Sequence, residues 1–416
     1  ASKGTLKMMG GSTITVKENG TGLSVSGKAS ATMMGGRIMG SGTGVVMGSG
    51  KVVMTSVDVS GFEKGVSVGG GKLVMNMGSI TIKEGAGNYG VKVGGTATAH
   101  LTDVMIRGVG KGYGVIMEGG TVKMDGVKIS DVAMGVHAKS GTVMMKGGWI
   151  KGEGGKGTGV YATGTGTVLM SGVWIEGVGK GVEVSGSGML EMMGDSTIIF
   201  TGGDRGYGVG LEVGSGVAST ILTDVKIMGS GKGKGMYGVK MMGEGKVEMN
   251  MVEILQVGVG VEVSGSGRLV MNMGKIEFTS GDRGYGVKVG SEGNALFYGV
   301  SITGSGREGT GVVMDGKMLM MSDVRISGVG MGVDATKGNL VMHKGSVEFK
   351  GKYGVSLTRG IATLKGVKMT YTGGSSTADF MTVRGGKVMA ESIQIYGNGY
   401  GQGMKVNGGR VVLIKP

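Results

Sequence analysis

Residues 65–90 read GVSVGGGKLVMNMGSITIKEGAGNYG. Three short runs in this window alternate along the chain, Val66-Ser67-Val68, Lys72-Leu73-Val74-Met75 and Ile80-Thr81-Ile82. Between them stand the turn segments Gly69-Gly70-Gly71 and Asn76-Met77-Gly78. A period of two marks a β-strand, and glycine between such runs marks a turn. No helical pattern interrupts the window.

The plan repeats in both directions. Residues 114–135 give strands over 115–117, 121–124 and 127–129, and residues 159–181 give 160–162, 167–170 and 173–175. A glycine opens each Gly-Val-x-Val/Met/Ala unit: Gly44, Gly65, Gly90, Gly114, Gly135, Gly159, Gly181, Gly208, Gly238, Gly260, Gly286, Gly311, Gly332 and Gly354. Successive spacings run from 21 residues (Gly44 to Gly65) to 30 (Gly208 to Gly238), and the series extends to Gly22 and Gly403 through a less regular unit over 380–383. Self-similarity at such a period is the signature of a repeat array.

Three strands per period, each pairing in parallel with its counterpart one turn later, define an all-β, parallel β-helix of about 17 coils, right-handed by the crossover rule. At ~4.8 Å between neighbouring strands, such a stack would extend on the order of 80 Å. Glycine serves the corners, where positive φ is needed, and its missing Cβ lets coils approach closely. The Leu-x-x-Leu-x-Leu pattern of a leucine-rich repeat is absent.

Composition agrees. The chain has 98 Gly, one Pro and no Cys among 416 residues. Glycine without a strict triplet period excludes collagen, and the regular Val/Ile alternation argues against a low-complexity chain. A stack grows in one dimension without needing a second core, so residues 1–416 are expected to form a single elongated domain. With no cysteine, neither a disulfide nor a thiolate-bound metal holds it together. No apolar run is long enough to span a bilayer, and Ala1-Ser2-Lys3 opens no signal-peptide core, so a soluble form is expected, either mature and secreted or trimmed at both ends, with no membrane insertion of this segment.

The alternation assigns side chains to faces. Second strands place Met124, Met145, Met170 and Met192 in one inward column, with Met249, Met271, Met321 and Met342 further on and Leu101, Phe297 and Leu364 in the same slot. Third strands place Ile129, Ile150, Ile175, Ile227, Ile254, Ile276, Ile302 and Ile326 in another. These columns are the candidate core. The 37 methionines are read as thioether packing rather than as a soft-metal site.

Outward positions of the third strand include Lys128, Trp149 and Trp174. The two tryptophans are the only ones in the chain, fall on adjacent coils, and both point toward solvent by register, as a partner anchor would. A second aromatic series, Tyr89, Tyr113, Tyr207, Tyr237, Tyr285 and Tyr353, stands before opening glycines and ends the variable third turn. Its longer segments, 201–207, 230–237, 280–285 and 372–379, would form a ridge along one edge, where binding loops reside. The candidate binding residues are therefore Trp149, Trp174, Lys128, Tyr207, Tyr237 and Tyr285.

A net charge of +14 and a pI near 9.6 favour acidic partners, sulfated glycans among them. The basic residues are scattered over many coils, and no recognition helix or RNA-binding sheet motif is present, so no nucleic-acid partner is expected. For catalysis, Asp103 and Asp125 fall on matching turns with Arg107 nearby, but turn aspartates ordinarily bond their own backbone. His100, His137 and His343 lie on separate coils and form no metal set. No cofactor, metal or catalytic residue is assigned.

Glycine-rich Gly-Val-x-Val coils across essentially all of the sequence resemble the passenger of a bacterial autotransporter. Coils such as Gly-Thr-Val-Met-Met-Lys-Gly-Gly-Trp-Ile at 141–150 are most similar to the Bartonella inducible autotransporters, a group that includes an angiogenic factor. The resemblance implies export by a C-terminal translocator barrel, which residues 1–416 do not contain, and action when secreted or at the bacterial surface. It implies a non-enzymatic virulence factor, a pro-angiogenic ligand of an endothelial cell-surface receptor. An adhesin for host glycan or matrix, and a polysaccharide lyase or hydrolase, are the alternatives.

Overall fold

The computed structural model describes residues 2–202, 207–214, 216, 219–230, 235–279, 284–290 and 292–414. Every regular element among them is a β-strand, and the strands stack in parallel as a β-solenoid of about 17 turns. The chain divides into two compact units, Ala1–Phe200 and Thr201–Pro416.

In the first unit the second-strand column runs in register through Met33, Met54, Met75, Leu101, Met124, Met145, Met170 and Met192, all buried. The third-strand column runs from Ile38 through Val59, Ile80, Ile106, Ile129, Ile150 and Ile175 to Ile198. Full burial of each such side chain is worth roughly 1.5–3 kcal/mol, which is what opposes the ordering entropy of so many glycines. Because these column positions pair in register, with the shifts between coils falling elsewhere, like residues mostly meet like residues and the interior stays evenly filled.

The second unit repeats the scheme. Leu222, Met249, Met271, Phe297, Met321, Met342 and Leu364 form one buried column, and Ile227, Ile254, Ile276, Ile302 and Ile326 another. Near 380–383 the pattern changes. Phe380 takes the place of the opening glycine in its coil and packs edge-on to Phe349, 5.6 Å between centroids, while Tyr371 lies 5.1 Å from Phe349.

The opening glycines work by close approach alone. Gly114 has no positive φ, and a Cβ there would stand 2.5 Å from both the Gly135 carbonyl oxygen and the Ile129 γ2 methyl. The glycine column therefore makes room for the isoleucine column. Positive φ occurs at the corners instead, and at the corner after each second strand glycine is not obligatory: Ser56, Met77 and Asp103 hold φ of 54°, 48° and 50°. The expected Asn76-Met77-Gly78 turn is thus a one-residue bend inside the continuous strand Lys72–Ile82.

Candidate functional site

Outward positions of the second strand in the first unit form the in-register row His100, Lys123, Met144, Leu169 and Glu191. The parallel row Thr102, Asp125, Lys146, Ser171 and Met193 ends the same strands. Between them lies a groove of about 470 Å³. Met144 and Leu169, both half-buried, give it an apolar floor, and Lys123, Asp125, Lys146 and Glu191 give it a charged rim. Burial, followed by the nearby charges of Lys72 and Lys123, holds the His100 imidazole below its ordinary pKa.

Around the next corner stands the column Met105, Lys128, Trp149 and Trp174, paired rung by rung. The register sets the two tryptophans opposite one another, as their spacing implies, but unequally: Trp174 is exposed and Trp149 half-buried. Trp174 Nε1 donates to Glu176 Oε2 at 3.0 Å, and Lys151 Nζ lies 3.0 Å from Glu176 Oε1. Those contacts, Lys151 first and the indole second, hold the Glu176 carboxyl below its usual range. Among the described residues, Lys128 belongs to no ion pair, nor do Lys123 and Lys146.

The corner between groove and tryptophans lacks side chains of its own, although Asp103 Oδ1 reaches Gly126 and Ser171 Oγ reaches Gly194. After Ser56, Met77 and Asp103, the corner slot holds Gly126, Gly147, Gly172 and Gly194 on four successive coils, all left-handed. A Cβ on Gly147 would meet nothing within 4 Å. Only Gly147 and Gly148 separate the rim residue Lys146 from Trp149, so groove and indole column adjoin.

The first-strand face of these coils carries an aromatic stack. His137 lies between Tyr113, 5.8 Å away at 21°, and Tyr161, 5.1 Å away at 16°. Its Nε2 is 3.3 Å from Thr163 Oγ1, and its Nδ1 is buried without a hydrogen-bond partner. Burial, then Lys139, pushes the ring's pKa down, while Glu118 opposes the shift.

The tyrosine series separates in the structure. Tyr89 and Tyr353 are buried, and Tyr113 joins the His137 stack. Tyr237 and Tyr285 share a column through Val259, and each lies beneath a lysine, Lys240 at 5.3 Å and Lys288 at 5.9 Å. Burial raises the Tyr237 pKa, and Glu262 adds to the shift. Tyr207 departs from the series. Val209 pairs with Tyr237 and Leu211 with Val239, so Gly210, not Gly208, stands opposite Gly238; Tyr207 pairs with Gly235 and is 68% exposed. The segments 203–206, 231–234 and 280–283, which belong to the expected ridge, lie outside the described residues.

The aspartate pair weighed for catalysis is not assembled. Asp125 pairs with Thr102, whereas Asp103 occupies the corner slot taken by Gly126 on the next coil. Arg107 is engaged with Asp131, Nε to Oδ2 at 2.9 Å. Among the described residues no group of His, Asp and Glu is arranged to hold a metal, and no helix is long and apolar enough to cross a membrane. Sequence reading also missed a polar cluster in the second unit, where Ser356, Asp379 and Thr382 are buried and Thr382 Oγ1 donates to Asp379 Oδ2 at 2.9 Å.

No family model matches the chain, and no curated protein matches it. Among solved structures it is similar to Vag8, a Bordetella autotransporter passenger, in the Vag8–C1 inhibitor complex: 14% identity over 97% of this chain and 100% of that one, with a TM-score of 0.50. The fold is thus autotransporter-passenger-like. The A-module of the Azotobacter vinelandii mannuronan C-5 epimerase AlgE6 aligns at 11% identity over 88% of this chain and 91% of that one, with a TM-score of 0.21, too distant to bear on fold or activity.

Proposed function

We propose that residues 1–416 are a passenger domain, secreted or displayed at a bacterial surface, that acts on host cells by binding a host protein. The observation that carries this reading is the coincidence, on the same few coils, of an apolar-floored groove, a corner of four glycines and the only two tryptophans of the chain. Exposed aromatic anchors beside a pocket are the usual centre of a protein interface. Vag8, of similar fold, is found in complex with a host protein, which supports the same use of this scaffold.

The sharper form of the proposal is a pro-angiogenic ligand of an endothelial receptor, with Trp149 and Trp174 as anchors and Lys128 beside them. Tyr207, Tyr237 and Tyr285 of the second unit are a second candidate contact. Positive charge speeds encounter with acidic cell surfaces. The purified protein is expected to bind and stimulate endothelial cells, and Trp149→Ala with Trp174→Ala to weaken binding at least tenfold without moving the urea midpoint. An unchanged affinity removes this pair from the interface. Binding abolished by enzymatic removal of cell-surface glycans favours the glycan adhesin instead.

A further inference from the structure

The groove, the glycine corner and the tryptophan column have a chemical polarity of their own. Lys123 and Asp125 share one rung toward the His100 end, Lys146 stands on the next beside Met144, Lys128 lies around the corner, and Asp103 fills the adjoining corner slot; among the described residues none of these lysines is in an ion pair. The floor is apolar at Met144 and Leu169, and the far end carries Glu191 and Met193. From the His100 rung to the Glu191 rung there are four steps, about 19 Å at ~4.8 Å per rung, the reach of roughly six extended residues.

We infer that this surface binds an extended peptide segment of its protein partner, with acidic residues facing Lys123 and, one rung on, Lys146, a bulky apolar side chain over Met144 and Leu169, and a flank crossing the glycine corner onto Trp149 and Trp174. The inference rests on the host-protein reading above and specifies the partner's chemistry. The corner is the distinctive part. Its left-handed backbone accepts other residues, since Lys344 fills the equivalent slot in the second unit at φ 58°. Four consecutive glycines at Gly126, Gly147, Gly172 and Gly194 therefore leave a strip on which main chain approaches main chain, and they coincide with the groove. Unpaired lysines beside an apolar floor supply the complementarity an acidic, apolar-anchored segment needs, and steer its approach.

The two tryptophans being the only ones, intrinsic indole emission reports on this surface alone. The probes are synthetic peptides of about eight residues with a glutamate cluster at one end and a central leucine or phenylalanine. Counterparts carry lysine for glutamate or alanine for the central residue. Titration into the whole protein is expected to give a saturable change in emission with the acidic apolar peptides, at least tenfold weaker with either counterpart and weakened severalfold by raising salt. Lys123→Glu with Lys146→Glu should cost tenfold or more, and Gly147→Lys or Gly172→Lys should block binding while circular dichroism holds and the urea midpoint falls only by the modest left-handed backbone penalty. Equal response to acidic and basic peptides, or indifference to the paired charge reversal, overturns the inference. If the corner variants lose structure, the charge reversal decides. Cells bound by the protein but not competed by the peptides would refute the inference and leave the host-protein reading standing. Peptide binding without cell binding would do the reverse.

Discussion

Trp174 Nε1 and Glu176 Oε2 stand 3.0 Å apart on the same outward strand face, and the carboxylate that fixes the indole is itself held by Lys151 from the preceding coil. An exposed aromatic side chain so tethered has lost much of its rotamer freedom before any partner arrives, which lowers the entropy cost of using it as an anchor. Glu176→Ala is expected to leave the fold intact, broaden the indole's orientations and weaken cell binding severalfold. Fluorescence anisotropy of the Trp149→Phe background isolates Trp174 and checks the first half of that statement.

The opening-glycine column should be far less tolerant than the corner column. A Cβ at Gly135 would stand 2.5 Å from the Gly159 carbonyl oxygen and press on the Ile150 γ2 methyl, whereas one at Gly147 meets open space. Gly135→Ala is expected to destabilise by roughly 3 kcal/mol or more, since a backbone oxygen must move. Gly147→Asn should cost about 1 kcal/mol or less, the left-handed penalty alone. Urea unfolding followed by far-ultraviolet circular dichroism compares the two.

Adjacent methionines should behave oppositely. Met145 is buried in the thioether column and Met144 faces the groove. Met145→Ala should cost about 2–4 kcal/mol through the cavity it leaves. Met144→Ala should cost under about 1 kcal/mol yet reduce binding, because it removes floor rather than core. Equal losses of stability at both positions would contradict the assignment of faces.

Acid should weaken the first unit through its imidazoles. His137 has a folded-state pKa below the ordinary value of 6.5, from burial and Lys139 against the opposing Glu118. The unfolded chain therefore binds more protons in this range, and stability present above about pH 6.5 is lost as pH falls toward the depressed folded value. His100 acts in the same direction. His137→Phe keeps a ring between Tyr113 and Tyr161 without a titrating nitrogen, so its thermal midpoint should fall less than the parent's between pH 7 and pH 5. The parent's slope persisting unchanged would show that the stacked ring is not responsible.

The columns were legible because an inward position recurs every two residues and every coil repeats the offset, so Met124, Met145 and Ile150 could be placed from spacing alone. The phase of Tyr207 was not. In the strand Tyr207–Val213 both Gly208-Val209 and Gly210-Leu211 satisfy the pattern, and pairing with Tyr237 and Val239 selects the second. The groove was hidden for another reason. The alternation puts Met144 on the outer face, but a methionine there does not by itself announce a groove floor. The mismatch of Asp103 and Asp125 turns on a single residue of register, below what a turn signal resolves. The run of corner glycines was visible in the letters, yet meant nothing until the groove lay beside it.

Equivalent rungs make the number of turns a free variable. Thr142 and Thr167 occupy one position on neighbouring coils, as do Thr121 and Thr142, so excising residues 142–166 would splice Gly141 to Thr167 and restore every neighbour relation except those of the missing turn. Such a protein can be shortened or lengthened by whole periods, gaining or shedding surface features without redesign of what lies inside.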